Sequence, residues 1–317
     1  MTFSDIIGDV SNFLREEMHS SRIVHAYLFT GPAGTGKSTL ADICAKALLC
    51  RAEKGKPCGL CPSCQQFESG NHPDFIRIEQ KKTKQSIAID QIRNELIARL
   101  GVKPYEGGRH VAVIYQADKM QPAAQNALLK TLETPPGDDV IILVTSKMTA
   151  LLPTIISRCR VVRFHNLEEQ ETISVLEKQG LESDRARLLA RLSQGSVGRA
   201  LDIQASEDWW QLRTKVMRAL DGLHEKQDVA IASMPLTENR EQAGAILDIM
   251  ELYARDLMVL QDGFGDIIQV DLEDSLHRQR FIGSRMLAGI IEARKKLASN
   301  VAWPSVLEML FFDIVGG

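Results

Sequence analysis

Apolar residues along the chain follow two different periods, and the change from one to the other divides it. Up to about residue 165, five short runs are apolar almost without interruption: Ala26 to Thr30, Asp74 to Ile78, His110 to Ile114, Val140 to Thr145 and Val161 to Phe164. Such runs predict strands buried on both faces, the habit of a parallel sheet. Between them apolar positions recur at helical spacing. Leu40, Ile43, Cys44, Ala47 and Leu48 make one stripe, and Ile89, Ile92, Leu96 and Leu100 make another, with Asp90 placed to cap it. Strands alternating with helices predict a doubly wound α/β domain.

After residue 165 only the helical period remains. It predicts three short helices over 168–179, 182–194 and 197–205, with Gly195 suited to ending the second. Longer helices are predicted over 238–261, 284–300 and 304–315, the last with Pro304 in its first turn. The expected division is an α/β domain over 1–165, a three-helix lid-sized domain over 166–207 and an all-α domain over 208–317. A length of 317 residues agrees with two or three cores.

Charge and composition narrow the classes of partner. An apolar fraction of 44% and a charged fraction of 25% belong to a folded protein. No run of about 18 apolar residues is present, and the N-terminal stretch lacks the basic-then-apolar order of a leader, so a cytoplasmic protein with no membrane partner is expected. The net charge of -3 argues against coating nucleic acid by bulk positive charge. The one dense basic run, Lys81 Lys82 Thr83 Lys84, reads as a solvated loop.

Two motifs carry chemistry. Gly31 Pro32 Ala33 Gly34 Thr35 Gly36 Lys37 Ser38 is a complete G-x-x-x-x-G-K-[ST] motif between a predicted strand and a predicted helix, where its mechanism requires it. The glycines let backbone N–H groups curl around a phosphate and the helix N-terminus adds its dipole. Lys37 can reach the β and γ phosphates and Ser38 can hold Mg²⁺. Gly31, Gly34, Thr35, Gly36 and Thr39 complete this candidate ATP/Mg²⁺ site. An NTPase also needs acids at the end of a second strand. The candidate strand, Val111 to Ile114, is followed instead by Tyr115, Gln116, Ala117 and Asp118. Losing a general base typically forfeits about 10²- to 10⁴-fold in rate, so binding without hydrolysis is expected. Asp118 is the one nearby acid that could stand in.

The second motif is Cys50-x7-Cys58-x2-Cys61-x2-Cys64, four of the six cysteines within one short segment, with Gly55, Pro57, Gly59 and Pro62 supplying turns. Four thiolates make a closed tetrahedral Zn²⁺ site with no open position for water, hence a structural one. Buried thiols or an iron–sulfur cluster are the alternatives.

Together with these motifs, several stretches resemble the clamp-loader branch of the AAA+ family over most of the first 205 residues. His25 Ala26 Tyr27 Leu28 Phe29 Thr30 leads into the P-loop, and the cysteine insert follows the P-loop helix. Asn126 to Pro136 (NALLKTLETPP) and Leu152 to Cys159 (LPTIISRC) come after the acid strand. The last looks like the Ser-Arg-Cys motif of clamp loaders. The resemblance implies an AAA+ P-loop domain with a zinc-binding insert over 50–64, a helical lid and an all-α collar. It further implies a hetero-pentamer with the motor subunits (gamma or tau) and delta that sets a sliding clamp on primed DNA using ATP. Arg158 matches the arginine that reaches a neighbour's γ-phosphate. Gly195 to Leu201 resembles the family's sensor-2 segment, in which Arg199 is either a nucleotide contact or a helix-surface charge. Motor subunits carry an Asp-Glu pair where Tyr115 and Gln116 stand, a departure that selects the non-hydrolysing type of subunit. A competent motor ATPase and a zinc-dependent nucleic-acid regulator are the rival readings.

Overall fold

The structure is a computed structural model that describes residues 9–20, 23–52, 56–81, 84–106 and 108–316. Lys82, Thr83 and Gly55 therefore lie outside the described residues. The chain divides into two compact units, Met1–Gln179 with Gly195–Gly198, and Gly180–Gln194 with Arg199–Gly317.

In the first unit β1 (Ala26–Thr30), β2 (Phe75–Ile78), β3 (Val111–Ile114), β4 (Val140–Thr145) and β5 (Arg160–Arg163) form one parallel sheet in the order β2-β3-β4-β1-β5. The five expected strands are all present, with ends shifted by a residue. β5 starts at Arg160, which pairs with Tyr27, and Phe164 leaves the strand while its N–H still reaches the Thr30 carbonyl at 2.7 Å. Successive side chains point to opposite faces. Tyr27, Phe29, Val111, Val113, Ile142 and Val144 pack against the helix Lys37–Leu49 on one face. Ala26, Leu28, Ala112, Ile114, Ile141 and Leu143 meet Ile92, Leu96, Leu128 and Leu132 on the other. Apolar cover on both sides is why these strands carry no polar alternation.

The segment 89–100 is helical as expected, though its middle, Ile92–Ile97, is a π-helix between α-helical Ile89–Gln91 and Ala98–Leu100. Asp90 is not its cap. Ala88 holds the cap position without a side-chain bond, and Asp90 sits in the first turn, where its charge complements the helix dipole. The helix Pro122–Glu133 ends beside β1, where the His25 ring nitrogen Nε2 lies 2.9 Å from the Leu132 carbonyl.

Beyond the sheet, Glu169–Lys178, Ser183–Ser193 and Val197–Ala205 are helices close to the expected bounds. Gln194, in left-handed conformation, closes the second, and Gly195 follows it. Helix Val197–Ala205 gives its first two residues to the first unit and the rest to the second.

The second unit has helices and no strand among its described residues, with a core built from Val216, Leu220, Ile246, Met250, Tyr253, Leu257, Ile290, Leu307 and Phe311 around a buried Trp303. The Trp303 indole N–H donates to the Leu236 carbonyl at 2.9 Å. The long helix expected from residue 238 begins only at Ala243, because the Asn239 side chain accepts from the Glu241 N–H and turns 240–242 into a 3-10 segment. Among the described residues no helix is long and apolar enough to cross a membrane.

Asp256, on the helix Ala243–Gln261, is fully buried and accepts the N–H groups of Ile268 and Gln269 at 2.7 and 2.9 Å. Among the described residues these two donors have no other acceptor. Asp256→Ala would orphan both and should destabilise the second unit by about 2–4 kcal/mol. Asp256→Asn, which keeps one acceptor oxygen, should cost roughly half of that. Urea unfolding followed by tryptophan fluorescence measures both.

Candidate functional site

The P-loop connects β1 to the helix Lys37–Leu49. Gly36 holds the helix cap at φ 80°, a left-handed conformation that other residues avoid. Gly31 is required for space, since a Cβ there would fall 2.2 Å from the Phe164 carbonyl oxygen. Four successive loop carbonyls are bound from within the same unit. The Lys37 ammonium donates to Gly31 at 2.8 Å and to Pro32, the Ser196 hydroxyl to Ala33 at 3.1 Å, and the Gly198 N–H to Gly34 at 2.9 Å. These bonds fix the loop's shape, and the helix N-terminus behind it carries positive dipole. Burial lowers the Lys37 pKa, and the charge of Asp118 acts against that shift. The Ser38 hydroxyl is exposed at the start of the helix, Thr39 is half-buried, and the Thr35 hydroxyl closes onto the Pro32 carbonyl at 2.9 Å. Gly31, Gly34, Thr35 and Gly36 thus lie on the loop, and Lys37, Ser38 and Thr39 on the first turn of the helix that follows it.

Gly198 approaches the loop closely. A Cβ on it would lie 2.8 Å from the Gly34 Cα, so the backbone contact exists only because no side chain intervenes. Nothing in the spacing of the sequence links 195–198 to the P-loop.

At the end of β3, Tyr115 is buried and its hydroxyl donates to Asp42 on the P-loop helix. The Arg77 guanidinium stacks on its ring at 4.3 Å and is paired with Glu79. Burial and the neighbouring Asp42 charge push the phenol far above its usual range, so it stays protonated. Burial also raises the Asp42 carboxyl, against the hydrogen bond from Tyr115 and the charge of Arg77. Gln116 is exposed with a left-handed backbone at φ 48°. The Asp118 carboxylate accepts from the Thr145 hydroxyl at 2.8 Å at the end of β4. Asp42 is the acid that the sequence reading missed. It lies 73 residues from Tyr115 along the chain, and no local pattern joins the two.

Arg158 lies between the short helix Pro153–Ile156 and β5, at an edge of the sheet. Its guanidinium donates to the Thr154 carbonyl at 2.9 Å, to the Ser157 hydroxyl at 3.4 Å and to the Glu133 carboxylate. A third of its side chain is exposed (33%). Burial pushes the adjacent Cys159 thiol up to about 12, which makes it a packing residue rather than a nucleophile. Arg199 belongs to the second unit, where it lines a cleft of about 380 Å³ with Asp248, Glu251 and Arg255.

Cys50, Cys58, Cys61 and Cys64 bring their sulfurs within 4.8 Å of one another, and they can hold a metal ion. The pairs Cys50–Cys61 and Cys58–Cys64 are 4.0 and 3.9 Å apart. Four sulfurs about 2.3 Å from one tetrahedral ion would be roughly 3.8 Å apart, so the set fits. The N–H groups of Cys61 and Cys64 donate to Cys58 and Cys61 at 3.3 and 3.4 Å, as thiolate ligands require. Burial alone would raise the Cys61 thiol, but hydrogen bonds from the N–H groups of Cys64 and Arg51 and from the Cys58 and Cys64 side chains together outweigh it and bring it to about 6. Where turns were expected, Cys61 caps a helix, Pro62–Glu68. Ser63 on that helix donates to the Leu49 carbonyl at 2.7 Å and accepts from His72, tying the insert to the P-loop helix.

The family described as DNA polymerase III, delta subunit, matches residues 8–168, about half of the chain. The delta′ subunit of DNA polymerase III from Bacillus subtilis (strain 168) is 32% identical over 97% of this chain and 96% of its own length. That of Escherichia coli (strain K12) is 33% identical over 78% of this chain and 74% of its own. The Escherichia coli (strain K12) tau subunit is 32% identical over 100% of this chain, which spans 50% of tau. A family match on the P-loop unit, joined to a likeness covering nearly all of both chains, shows that the chain belongs to the delta′ subunit family of DNA polymerase III.

Proposed function

We propose that this chain is a non-hydrolysing delta′-type subunit of a cytoplasmic clamp loader. In this reading it joins gamma or tau motor subunits and delta in a hetero-pentamer within the DNA polymerase III holoenzyme. The assembly sets a sliding clamp on primed DNA with energy from ATP. The observation that carries the proposal is the end of β3. The position that should hold a metal-side carboxylate has a neutral phenol, already donated to Asp42. A protonated phenol offers no anion to order Mg²⁺ and its water, and Gln116 offers no base. In this reading the chain contributes to hydrolysis through Arg158, which lies beside the edge strand β5 and would meet a γ-phosphate held by an adjacent motor subunit. The three-part division over 1–165, 166–207 and 208–317 is proposed as P-loop domain, lid and collar.

A second reading, a gamma/tau-like motor that hydrolyses ATP itself, is favoured by one observation, the complete and internally braced P-loop. In either reading Lys37 and Ser38 would take phosphate and Mg²⁺. Steady-state turnover by the isolated chain separates the two readings. We expect none above background, whereas a motor would give about 1 s⁻¹ or more.

For the arginine, Arg158→Ala in the assembled complex with clamp and primed DNA should leave assembly intact. ATP turnover should fall sharply, the one dependent site losing about 10³-fold or more in kcat. Turnover at the wild-type level would remove Arg158 from the mechanism.

Zn²⁺ is proposed for the four cysteines, where it would supply a crosslink between sulfurs and no reaction. Metal analysis should find one zinc per chain, lost in Cys61→Ser. The variant should lower the unfolding midpoint of the first unit by about 5–10 °C, equivalent to roughly 2–3 kcal/mol for a unit of this size.

A further inference from the structure

The Glu133 carboxylate holds Arg158, although it belongs to a different element and lies 25 residues earlier in the chain. Glu133 is the last residue of the helix Pro122–Glu133. Thr154, the other main acceptor, is in the short helix Pro153–Ile156. The guanidinium thus sits where helix carbonyl ends and a carboxylate all favour a cation.

A guanidinium has five N–H donors in a rigid fork. Two on Nη1 go to the Thr154 carbonyl and the Ser157 hydroxyl, and one on Nη2 goes to Glu133. The Nε–H and the second Nη2–H have no partner among the described residues. The side chain is therefore held by part of its fork while donors remain for a further oxyanion. The backbone on either side of Glu133 is tied down, because the Leu132 carbonyl meets the His25 ring and the Thr134 N–H closes onto the Lys130 carbonyl at 3.1 Å.

We propose that Glu133 is a positioning residue for Arg158, orienting the guanidinium at the sheet edge before any phosphate arrives. This rests on the reading of Arg158 as an arginine supplied to a neighbouring subunit. An unanchored arginine on an edge samples many rotamers and must be ordered each time it engages. One held in place has part of that ordering done in advance. Glu133 touches no phosphate in this scheme and acts only through Arg158.

The test uses the assembled complex with clamp and primed DNA, comparing wild type, Glu133→Ala, Glu133→Gln, Arg158→Ala and the double variant Glu133→Ala/Arg158→Ala. Steady-state kcat and KM for ATP are read, along with the unfolding midpoint of each isolated chain. Glu133→Ala should slow the Arg158-dependent site about 3- to 10-fold, and so remove most but not all of the turnover that Arg158→Ala removes, with KM for ATP and the midpoint unchanged. Glu133→Gln, which keeps an acceptor at the same reach, should recover most of the loss. The double variant should be no slower than Arg158→Ala alone. If Arg158→Ala is slow and Glu133→Ala runs at the wild-type rate, positioning by Glu133 is refuted and the role of Arg158 stands. A further loss in the double variant also refutes it, since Glu133 would then act elsewhere. Wild-type turnover in Arg158→Ala would overturn the reading of the arginine and this inference with it.

Discussion

The hydroxyl of Tyr115 is given to Asp42, and the character of the first unit depends on that bond. It joins the end of β3 to the P-loop helix at the point where phosphoryl-transfer sites gather negative charge. Burial keeps the phenol protonated, and the stacked Arg77 balances the acid it serves. A half-buried carboxylate without such a donor would carry a cost, so the pair is self-consistent as packing. The residue that ends the strand is itself a neutral phenol, and the one carboxylate it meets is already engaged by it. Structure and proposed division of labour follow from one substitution of chemistry at one strand end.

A second organising point is the C-terminal end of the helix Pro122–Glu133. His25, which opens the first strand motif, reaches the Leu132 carbonyl, and Glu133 reaches Arg158. Three stretches that look independent along the chain therefore meet within one helical turn. The parallel order β2-β3-β4-β1-β5 makes this meeting possible, because it puts β5 beside β1 at an edge.

Much of this architecture was legible beforehand where the signal is local. Strands buried on both faces announce themselves as unbroken apolar runs, and all five lie within a residue of expectation. The P-loop and the four cysteines carry their spacing in the chain itself. What was not legible is of two kinds. The helix Pro62–Glu68 has no apolar stripe and depends on the Cys61 sulfur as its cap, so periodicity is silent about it. The partners Asp42 with Tyr115, Glu133 with Arg158, and Ser196 and Gly198 with the P-loop are joined only by the fold. Asp90 shows the reverse failure, a residue of the right type one step too far into its helix to cap it.

The contact between Gly198 and Gly34 has an evolutionary corollary. No residue with a side chain at position 198 could keep this approach, because even its first carbon would collide with the loop backbone. Acquiring a side chain there and parting the backbones of 198 and 34 must occur together. A single codon change at this glycine is thus a change of geometry before it is a change of charge.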